Sequence, residues 1–500
     1  MNLPGLPHVL RAVAMTPGQT ALLDHLRDRI GSKAIITERD AIAPWETDWR
    51  GRWHGHAPAL LSPGSTQEVA AIVAAARAAG VALVPQGGNT SMVGGATPPE
   101  DGSALILSLR RLNRVRGIDT HANLAIAEAG VILETLHQAV AAEGRRFPLT
   151  LGSRGSATIG GLVSTNAGGT QVLRWGTMRG LVAGIEAVLP DGSVHDGLAV
   201  LKKDNRGYDL TQLLIGAEGT LGIVTAAALR LAPAITARAV GWAGCANPVD
   251  ALALLRRMQA ATDRIESFEI IRGDSLRRVL DHVPGTRSPL AGQHAWHVLI
   301  EAVASDPEPV PGAESPAGLL ERLLAPALAD GLIADAVVAA SEAQAEAFWR
   351  LRESLSEAER AGGPALQFDI SVPVEAMPRF MLDAAAAAEA RFPGTHATAF
   401  GHLGDGNVHF HVRAPTSAAA DRWYADEAPA ITRFVDDLVV AAGGSISAEH
   451  GIGQMKLAEL ERLGPPARLH ALRAIKAALD PAGLLNPGKL VRLAREPAGK

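Results

Sequence analysis

Residues 148–180 read Pro148-Leu-Thr-Leu-Gly-Ser-Arg-Gly-Ser-Ala-Thr-Ile-Gly-Gly-Leu-Val-Ser-Thr-Asn-Ala-Gly-Gly-Thr-Gln-Val-Leu-Arg-Trp-Gly-Thr-Met-Arg-Gly180. Glycine, serine and threonine crowd this stretch. Few bulky side chains shield the main chain, so the backbone can approach a ligand and present N–H groups to phosphate oxygens. A floppy linker would lack Ile159, Leu162, Val163 and Trp175, so the stretch reads as a packed loop and helix containing a cradle. Upstream, Val81-Ala-Leu-Val-Pro85 reads as a short buried strand running into Gln86-Gly-Gly-Asn-Thr-Ser-Met-Val-Gly-Gly95. A strand feeding a glycine-rich turn is the usual geometry for gripping a pyrophosphate. Neither stretch is a G-x-G-x-x-G opening a helix, and no Gly-Lys-Ser/Thr follows, so the nicotinamide fingerprint and the P-loop are both unmet. Two phosphate cradles outside those classes imply a large, multi-phosphate cofactor.

A chain of 500 residues is too long for one ordinary core, so two or more domains are expected. Hydrophobic content of 47% and charged content of 20% fit a globular protein. A net charge of −5 gives no sign of nucleic-acid binding. Cys245 is the single cysteine, which excludes an intrachain disulfide and a cysteine zinc site, so any metal must use His, Asp or Glu. No apolar run reaches transmembrane length and no signal-peptide h-region is visible. A cytoplasmic protein, peripheral at the inner membrane at most, is the expectation.

In chain order, residues 1–36 read as an amphipathic helical segment, centred on Gln19–Ile30. Thr47–Trp53 reads either as the lead into a cofactor domain or as a surface loop. Ser65-Thr-Gln-Glu68 is a capping box opening a helix over Val69–Ala79. Leu105–Leu109, Leu124–Val131 and Ile223–Leu231 read as strands, Leu133–Glu143 as a helix, and 184–194 as strand, Pro-Asp-Gly turn and strand. This succession of βαβ units and hairpins suits an α+β domain over 46–235, preceded by residues 1–45. Over 236–445, strands (Phe268–Ile271, His297–Ala302) alternate with alanine-rich helices (Val249–Ala261, Ala317–Asp330, Ala343–Arg360), with a proline-rich insertion at 306–316. That region reads as a separate substrate domain.

Pro85-x-Gly-Gly-Asn-Thr, Gly160-Gly-x-x-Ser-Thr-Asn-Ala-Gly-Gly169 and Gly216-Ala-Glu-Gly-Thr-Leu-Gly222 resemble the vanillyl-alcohol-oxidase-type (PCMH-type) FAD flavoproteins. C-terminal motifs narrow the resemblance to the branch holding D-lactate and D-2-hydroxyglutarate dehydrogenases. It spans about residues 40–490. It implies a fold of class α+β: a PCMH-type two-subdomain FAD-binding domain, an antiparallel-sheet α+β substrate domain, and a segment 446–500 returning to the FAD domain. It implies FAD held by Pro85, Gly87, Gly88, Asn89, Thr90, Ser91, Gly152, Ser153, Thr158, Gly160, Gly161, Ser164, Thr165, Asn166, Gly168, Gly169, Glu218, Gly222, Ile223, Val224 and Asn486. The first cradle has no His or Cys at the position often used for a covalent tether, so the FAD is expected to be non-covalent. Asn486-Pro-Gly-Lys-Leu490 resembles the family's closing segment at the flavin edge, the alternative being a plain C-terminal turn.

Gly401-His402-Leu-Gly-Asp-Gly-Asn-Val-His409-Phe-His411 carries three histidines in a short turn and strand. In an extended strand His409 and His411 share a face, and a turn can return His402 beside His409. Converging neutral imidazoles suit Zn²⁺ or another divalent ion; a set of hydrogen-bonded structural histidines is the alternative. Ser447-Ala-Glu449-His450-Gly-Ile-Gly453 adds a carboxylate and another histidine. By the resemblance, His402, His409 and Glu449 are metal ligands (Zn²⁺, Mn²⁺ or Co²⁺) and His450 is the catalytic base and a substrate contact. An imidazole with an unperturbed pKa of about 6.5 can accept a hydroxyl proton, and a divalent ion lowers such a proton's pKa. His411 stands where the family often has Asn, and is expected as a metal or substrate contact. Arg352 and Ser356, in Phe348-Trp-Arg-Leu-Arg-Glu-Ser-Leu-Ser356, take the positions of a substrate arginine and a nearby hydroxyl; a solvated helix arginine is the alternative. The family often has Lys where this chain has Gln367 before Phe368-Asp-Ile-Ser-Val-Pro373. Loss of that cation implies a different preference for the substrate tail.

The expected activity is oxidation of a D-2-hydroxy acid, D-2-hydroxyglutarate or D-lactate, to the 2-oxo acid by hydride transfer to flavin N5. An electron-transfer flavoprotein or a quinone is the expected acceptor, and a homodimer the expected assembly. The rival readings are an oxidase that uses O₂ and a flavin subunit of a larger glycolate-oxidase-like complex.

Overall fold

The computed structural model describes residues 14–306 and 312–493. The first 13 residues of the expected N-terminal segment, residues 307–311 of the proline-rich insertion and 494–500 of the closing segment lie outside the described residues. The chain divides into two compact units. The first holds the described residues up to Ala167, Thr177–Ala232, and those from Glu449 on; the second holds Gly168–Gly176 and Pro233–Ala448.

Two larger sheets among the described residues lie in the first unit. The smaller orders its strands Ile35–Ile36, Leu60–Leu61, Ala104–Ser108, Ala82–Gln86, and its last two pairings are parallel. Parallel strands need a crossover, and helix Thr66–Ala79 supplies it. Its Val69, Ile72, Val73 and Ala76 recur at helical spacing and are all buried, packing with Leu22, Leu23 and Leu26 of helix Pro17–Ile30. Burying such a Val, Leu or Ile side chain contributes roughly 1.5–3 kcal/mol, an upper value given a compact unfolded chain. Ser65 caps the helix as expected by accepting from the Glu68 amide. The return bond falls one residue earlier than a capping box requires, from Gly64 N–H to Glu68 Oε2 at 2.6 Å. The second sheet is antiparallel, ordered Val115–Asp119, Leu124–Glu128, Ile223–Arg230, Val182–Val188, Val194–Asp196. The strand expected to reach Val131 stops at Glu128, because Gly130 comes so close to the preceding turn that a Cβ there would lie 2.3 Å from the Leu109 carbonyl oxygen.

The second unit is one seven-stranded antiparallel sheet, ordered Asp335–Val338, Ala237–Cys245, Trp296–Ala304, Ile265–Arg272, His396–His402, Asn407–Arg413, Ala365–Ser371. One face packs Phe268, Ile270, Ala397, Ala399, Val408, Phe410 and Val412 against helices Pro248–Ala261, Pro316–Ala329, Met377–Arg391 and Ala428–Ala441. The opposite face packs Trp242, Ile271, Leu299 and Phe400 against Gly273–His282 and the helices after residue 341. The single helix expected over Ala343–Arg360 is two, Glu342–Glu353 and Leu355–Ala361. Ser354 separates them (φ −78°, ψ −7°), and Leu355 and Ala358 beyond it are buried in the core. No helix among the described residues is long and apolar enough to cross a membrane.

Candidate functional site

Strand Ala82–Gln86 of the first unit delivers the first cradle. A Cβ on Gly87 would lie 2.1 Å from Thr158 Oγ1, and one on Gly88 would lie 1.9 Å from the Ser156 carbonyl oxygen. The two glycine-rich stretches therefore meet through bare backbone, and any larger residue would part them. Asn89 sits in the left-handed region (φ +53°) and donates Nδ2 to the Thr47 carbonyl; Gln86 Nε2 donates to the carbonyls of Trp45 and Ala96. Those bonds stitch the 45–53 segment onto the cradle. Thr90 and Ser91 are half-buried, and Ser91 Oγ accepts from the Gly95 amide at 2.9 Å.

The second stretch forms helix Ile159–Thr165. Gly160 packs so closely that a Cβ would lie 2.7 Å from that of Ala129, whereas Gly161 is open. Gly152 and Ser153 lie in the turn before the helix, where the Ser153 carbonyl accepts from the Ser156 and Ala157 amides. Gly168 and Gly169 begin the strip that groups with the second unit. Several expected cofactor side chains have other partners. Thr165 Oγ1 donates to the Gly161 carbonyl, and Asn166 Oδ1 accepts from Thr177 Oγ1 and the Arg179 amide. The Ser164 carbonyl accepts from the Glu218 amide. Ile223 and Val224 are buried strand residues, a Cβ on Gly222 would lie 3.0 Å from Leu214 Cδ2, and Gly219 leaves room for Pro85. The Glu218 carboxylate accepts from the amides of Ile452 and Gly453.

The residues present fit a large polar cofactor. Thr158 Oγ1 in the second cradle and Asn486 Oδ1 in the closing segment are buried and have no hydrogen-bond partner among the described residues. Buried polar atoms are normally satisfied, so an unsatisfied pair beside glycine backbone marks the place of a polar ligand.

The second unit carries a cluster on one sheet face. In register, His409 lies opposite Asp369 and Phe400, and His411 lies opposite Gln367 and Thr398. The turn after His402 returns the chain, so the His402 and His409 rings are 5.4 Å apart and their ligand nitrogens lie within 4.8 Å. Glu269, on the neighbouring strand, is buried. It accepts from His402 Nδ1 at 2.6 Å and Arg352 Nε at 2.7 Å. Burial alone would raise the Glu269 carboxyl, but His402 and Arg352 outweigh it and hold it below the usual range. An ionised Glu269 can only accept, so a neutral His402 bonded to it carries its proton on Nδ1 and its lone pair on Nε2, the tautomer a metal ligand needs. Burial, reinforced by His402 and Arg352, pushes His409 well below the usual imidazole range and keeps it neutral. These two imidazoles are a donor set that suits a divalent ion.

Arg352 is buried, 5.3 Å from the Phe400 ring, with Nε committed to Glu269. Gln367 Nε2 is buried and has no partner among the described residues. Ser356 is exposed on helix Leu355–Ala361. Ala448, the last residue of this unit, donates its amide to the Asp369 carbonyl at 3.3 Å, and the chain continues into Glu449 and His450, which group with the first unit. Sequence reasoning missed Glu269. An isolated glutamate in a strand carries no motif, although its place among Phe268, Ile270 and Ile271 is an unusual setting for a carboxylate.

The family described as "FAD linked oxidases, C-terminal domain" matches residues 235–490, and "FAD binding domain" matches 57–197. The chain is 37% identical over 467 residues to "D-2-hydroxyglutarate dehydrogenase, mitochondrial" of Bos taurus, covering 93% of this chain and 82% of that protein. It is 35% identical over 472 residues to the protein of the same name from Arabidopsis thaliana, covering 94% and 81%. Among solved structures, p-cresol methylhydroxylase with substrate bound superposes with a TM-score of 0.73 at 14% identity, covering 97% of this chain and 99% of that one. That likeness establishes the PCMH-type α+β fold.

Proposed function

The chain belongs to the FAD-linked oxidases, a family of FAD-dependent oxidoreductases, among the D-2-hydroxyglutarate dehydrogenases, and from that premise we propose that it oxidises a D-2-hydroxy acid to the 2-oxo acid with FAD and a divalent metal. Bound FAD supplies the acceptor, at flavin N5, for the hydride leaving C2. A bound divalent ion supplies positive charge that lowers a hydroxyl pKa, as it lowers that of water from 15.7 to about 7 in favourable sites. On this reading His402 Nε2, His409 and Glu449 hold the ion. The single observation that carries it is the hydrogen bond between His402 Nδ1 and the buried Glu269 carboxylate at 2.6 Å, beside a half-buried His409 whose ligand nitrogen lies within 4.8 Å of that of His402. Glu449 is supported by the chain itself: it lies one peptide bond beyond Ala448, whose amide is bound to Asp369, the cross-strand neighbour of His409.

The remaining roles follow from chemistry. The terminal nitrogens of Arg352 bind a substrate carboxylate while Glu269 fixes the orientation of the guanidinium. His450 accepts the hydroxyl proton, and its neutral form is needed for that. Gln367 Nε2, buried without a partner, donates to the substrate tail. The electrons then pass to an electron-transfer flavoprotein or a quinone.

The test is a dye-reduction screen of D- and L-2-hydroxy acids with and without EDTA. Turnover of the D-acids, abolished by EDTA without bleaching the flavin and restored by Zn²⁺, Co²⁺ or Mn²⁺, is the expected result. Full activity in metal-free enzyme would remove the metal from the reading. Rapid reoxidation by O₂ after anaerobic reduction would favour an oxidase.

A further inference from the structure

Glu218 lies in Gly216-Ala-Glu-Gly219, a sequence expected to touch the cofactor. The structure gives its carboxylate a different task. Glu218 is a buried non-glycine residue at φ +51°, a left-handed conformation that such a residue adopts only where its surroundings hold it. Its main chain is locked in place: the amide donates to the Ser164 carbonyl at 2.8 Å, and its carbonyl accepts from Asn486 Nδ2 at 2.7 Å. The side chain leaves this turn so that Oε1 accepts from Ile452 N–H at 2.7 Å and Oε2 from Gly453 N–H at 2.8 Å. Successive amides of this kind form a small anion-binding concavity, filled here by a carboxylate of the same chain.

The surroundings exclude slack. Gly451 (φ +81°) and Gly453 (φ +52°) flank the clamp. A Cβ at 451 would meet Glu218 Oε1 at 2.9 Å, and one at 453 would meet the Val93 carbonyl oxygen at 2.3 Å. The same Val93 carbonyl accepts from the Gln454 and Met455 amides, and Gln454 Nε2 donates to the carbonyls of Gly94 and Thr97. The loop is thus tied on one side to the first cradle and on the other to Glu218. The two residues just before it are Glu449 and His450.

We propose that Glu218 is a positioning residue for the proton-accepting and metal-binding loop: its carboxylate fixes the Ile452 and Gly453 amides and thereby the placement of Glu449 and His450. The inference rests on the roles assigned to those two residues above. A glutamine has one carbonyl oxygen, so Glu218→Gln satisfies one amide and turns an NH₂ toward the other. A glutamate serving the cofactor would instead reveal itself in FAD affinity.

The experiment compares wild type, Glu218→Gln and Gly453→Ala, which keeps the carboxylate but displaces the loop. Four readouts are taken: hydrogen exchange of a peptide spanning 449–456 in the FAD-bound protein, FAD affinity, Zn²⁺ affinity against a chelator, and the rate of flavin reduction by D-2-hydroxyglutarate. Both variants should exchange faster at 452–453 and keep FAD affinity within about twofold. They should lose roughly tenfold or more in Zn²⁺ affinity and in kcat, the scale seen when a ligand's support is removed, with KM changed less. Weakened FAD binding in Glu218→Gln with unchanged exchange would overturn the inference and return Glu218 to the cofactor. Unchanged Zn²⁺ affinity and reduction rate in soluble variants would overturn it as well. Glu449→Ala and His450→Ala serve as controls. If these retain full activity, the assigned roles fail; if they lose it while Glu218→Gln does not, only the positioning role fails.

Discussion

Glu269→Gln changes no shape and removes one charge. In the wild type the buried carboxylate accepts two charge-assisted bonds, from His402 Nδ1 at 2.6 Å and Arg352 Nε at 2.7 Å. Such bonds contribute roughly 1.5–3 kcal/mol each, and breaking a buried ion pair by removing one partner costs about 3–5 kcal/mol. The amide oxygen still accepts one of the two bonds, so a net loss of about 2–4 kcal/mol is expected at pH 7. The pH dependence has a definite sign. The folded carboxyl is held below its ordinary value, so its stabilisation is fully present above the unfolded pKa of about 4.3 and is lost as pH falls through the folded pKa. The gap between wild type and variant should therefore be widest near neutrality and shrink in acid. Urea titration of the flavin-free protein, followed by tryptophan fluorescence at several pH values, measures it. Without an ionised acceptor the His402 tautomer is no longer fixed, and Zn²⁺ affinity should fall about 10–100-fold. A variant within about 0.5 kcal/mol of wild type, the range of ordinary surface changes, and with unaltered Zn²⁺ affinity would refute the reasoning.

His450→Ala should cost roughly 10²–10⁴ in turnover if the imidazole is the base, with a normal flavin spectrum; near-normal turnover would take it out of the mechanism. His402→Ala or Glu449→Ala should reproduce the effect of EDTA on turnover and on Zn²⁺ binding, and a variant that still binds Zn²⁺ as tightly as wild type would exclude that residue as a ligand. Acid precipitation should leave the yellow colour in the supernatant, since neither cradle offers a tethering His or Cys; colour in the pellet would mean a covalent flavin. Gln367→Lys places a charge where an unpartnered amide now stands, worth roughly 1.5–3 kcal/mol or about tenfold or more toward a dicarboxylate. It should raise kcat/KM for D-2-hydroxyglutarate relative to D-lactate, and an unchanged ratio would show that residue 367 does not read the tail.

The sequence by itself determined the elements and the chemistry on offer. Glycine is the one residue that tolerates such close backbone approach, so Gly87, Gly88 and Gly160 announce their cradles as a string of letters. Histidines two apart on a strand must share a face, so His409 and His411 were legible as a pair. The capping signal Ser65-Thr-Gln-Glu68 sufficed to announce the helix that follows it. Contacts distant in the chain were not legible. Glu269 lies 133 residues from His402 and 83 from Arg352, and only strand order brings the three together. Glu218 read as a cofactor residue through the resemblance carried by Gly216–Gly222, and only the fold shows its carboxylate bonded to amides 234 and 235 residues away. The break at Ser354 was hidden because helical spacing continues through it. Local periodicity and steric limits act over a few residues and can be read from them. A buried charge finds its partner through the whole topology, which only the folded chain contains.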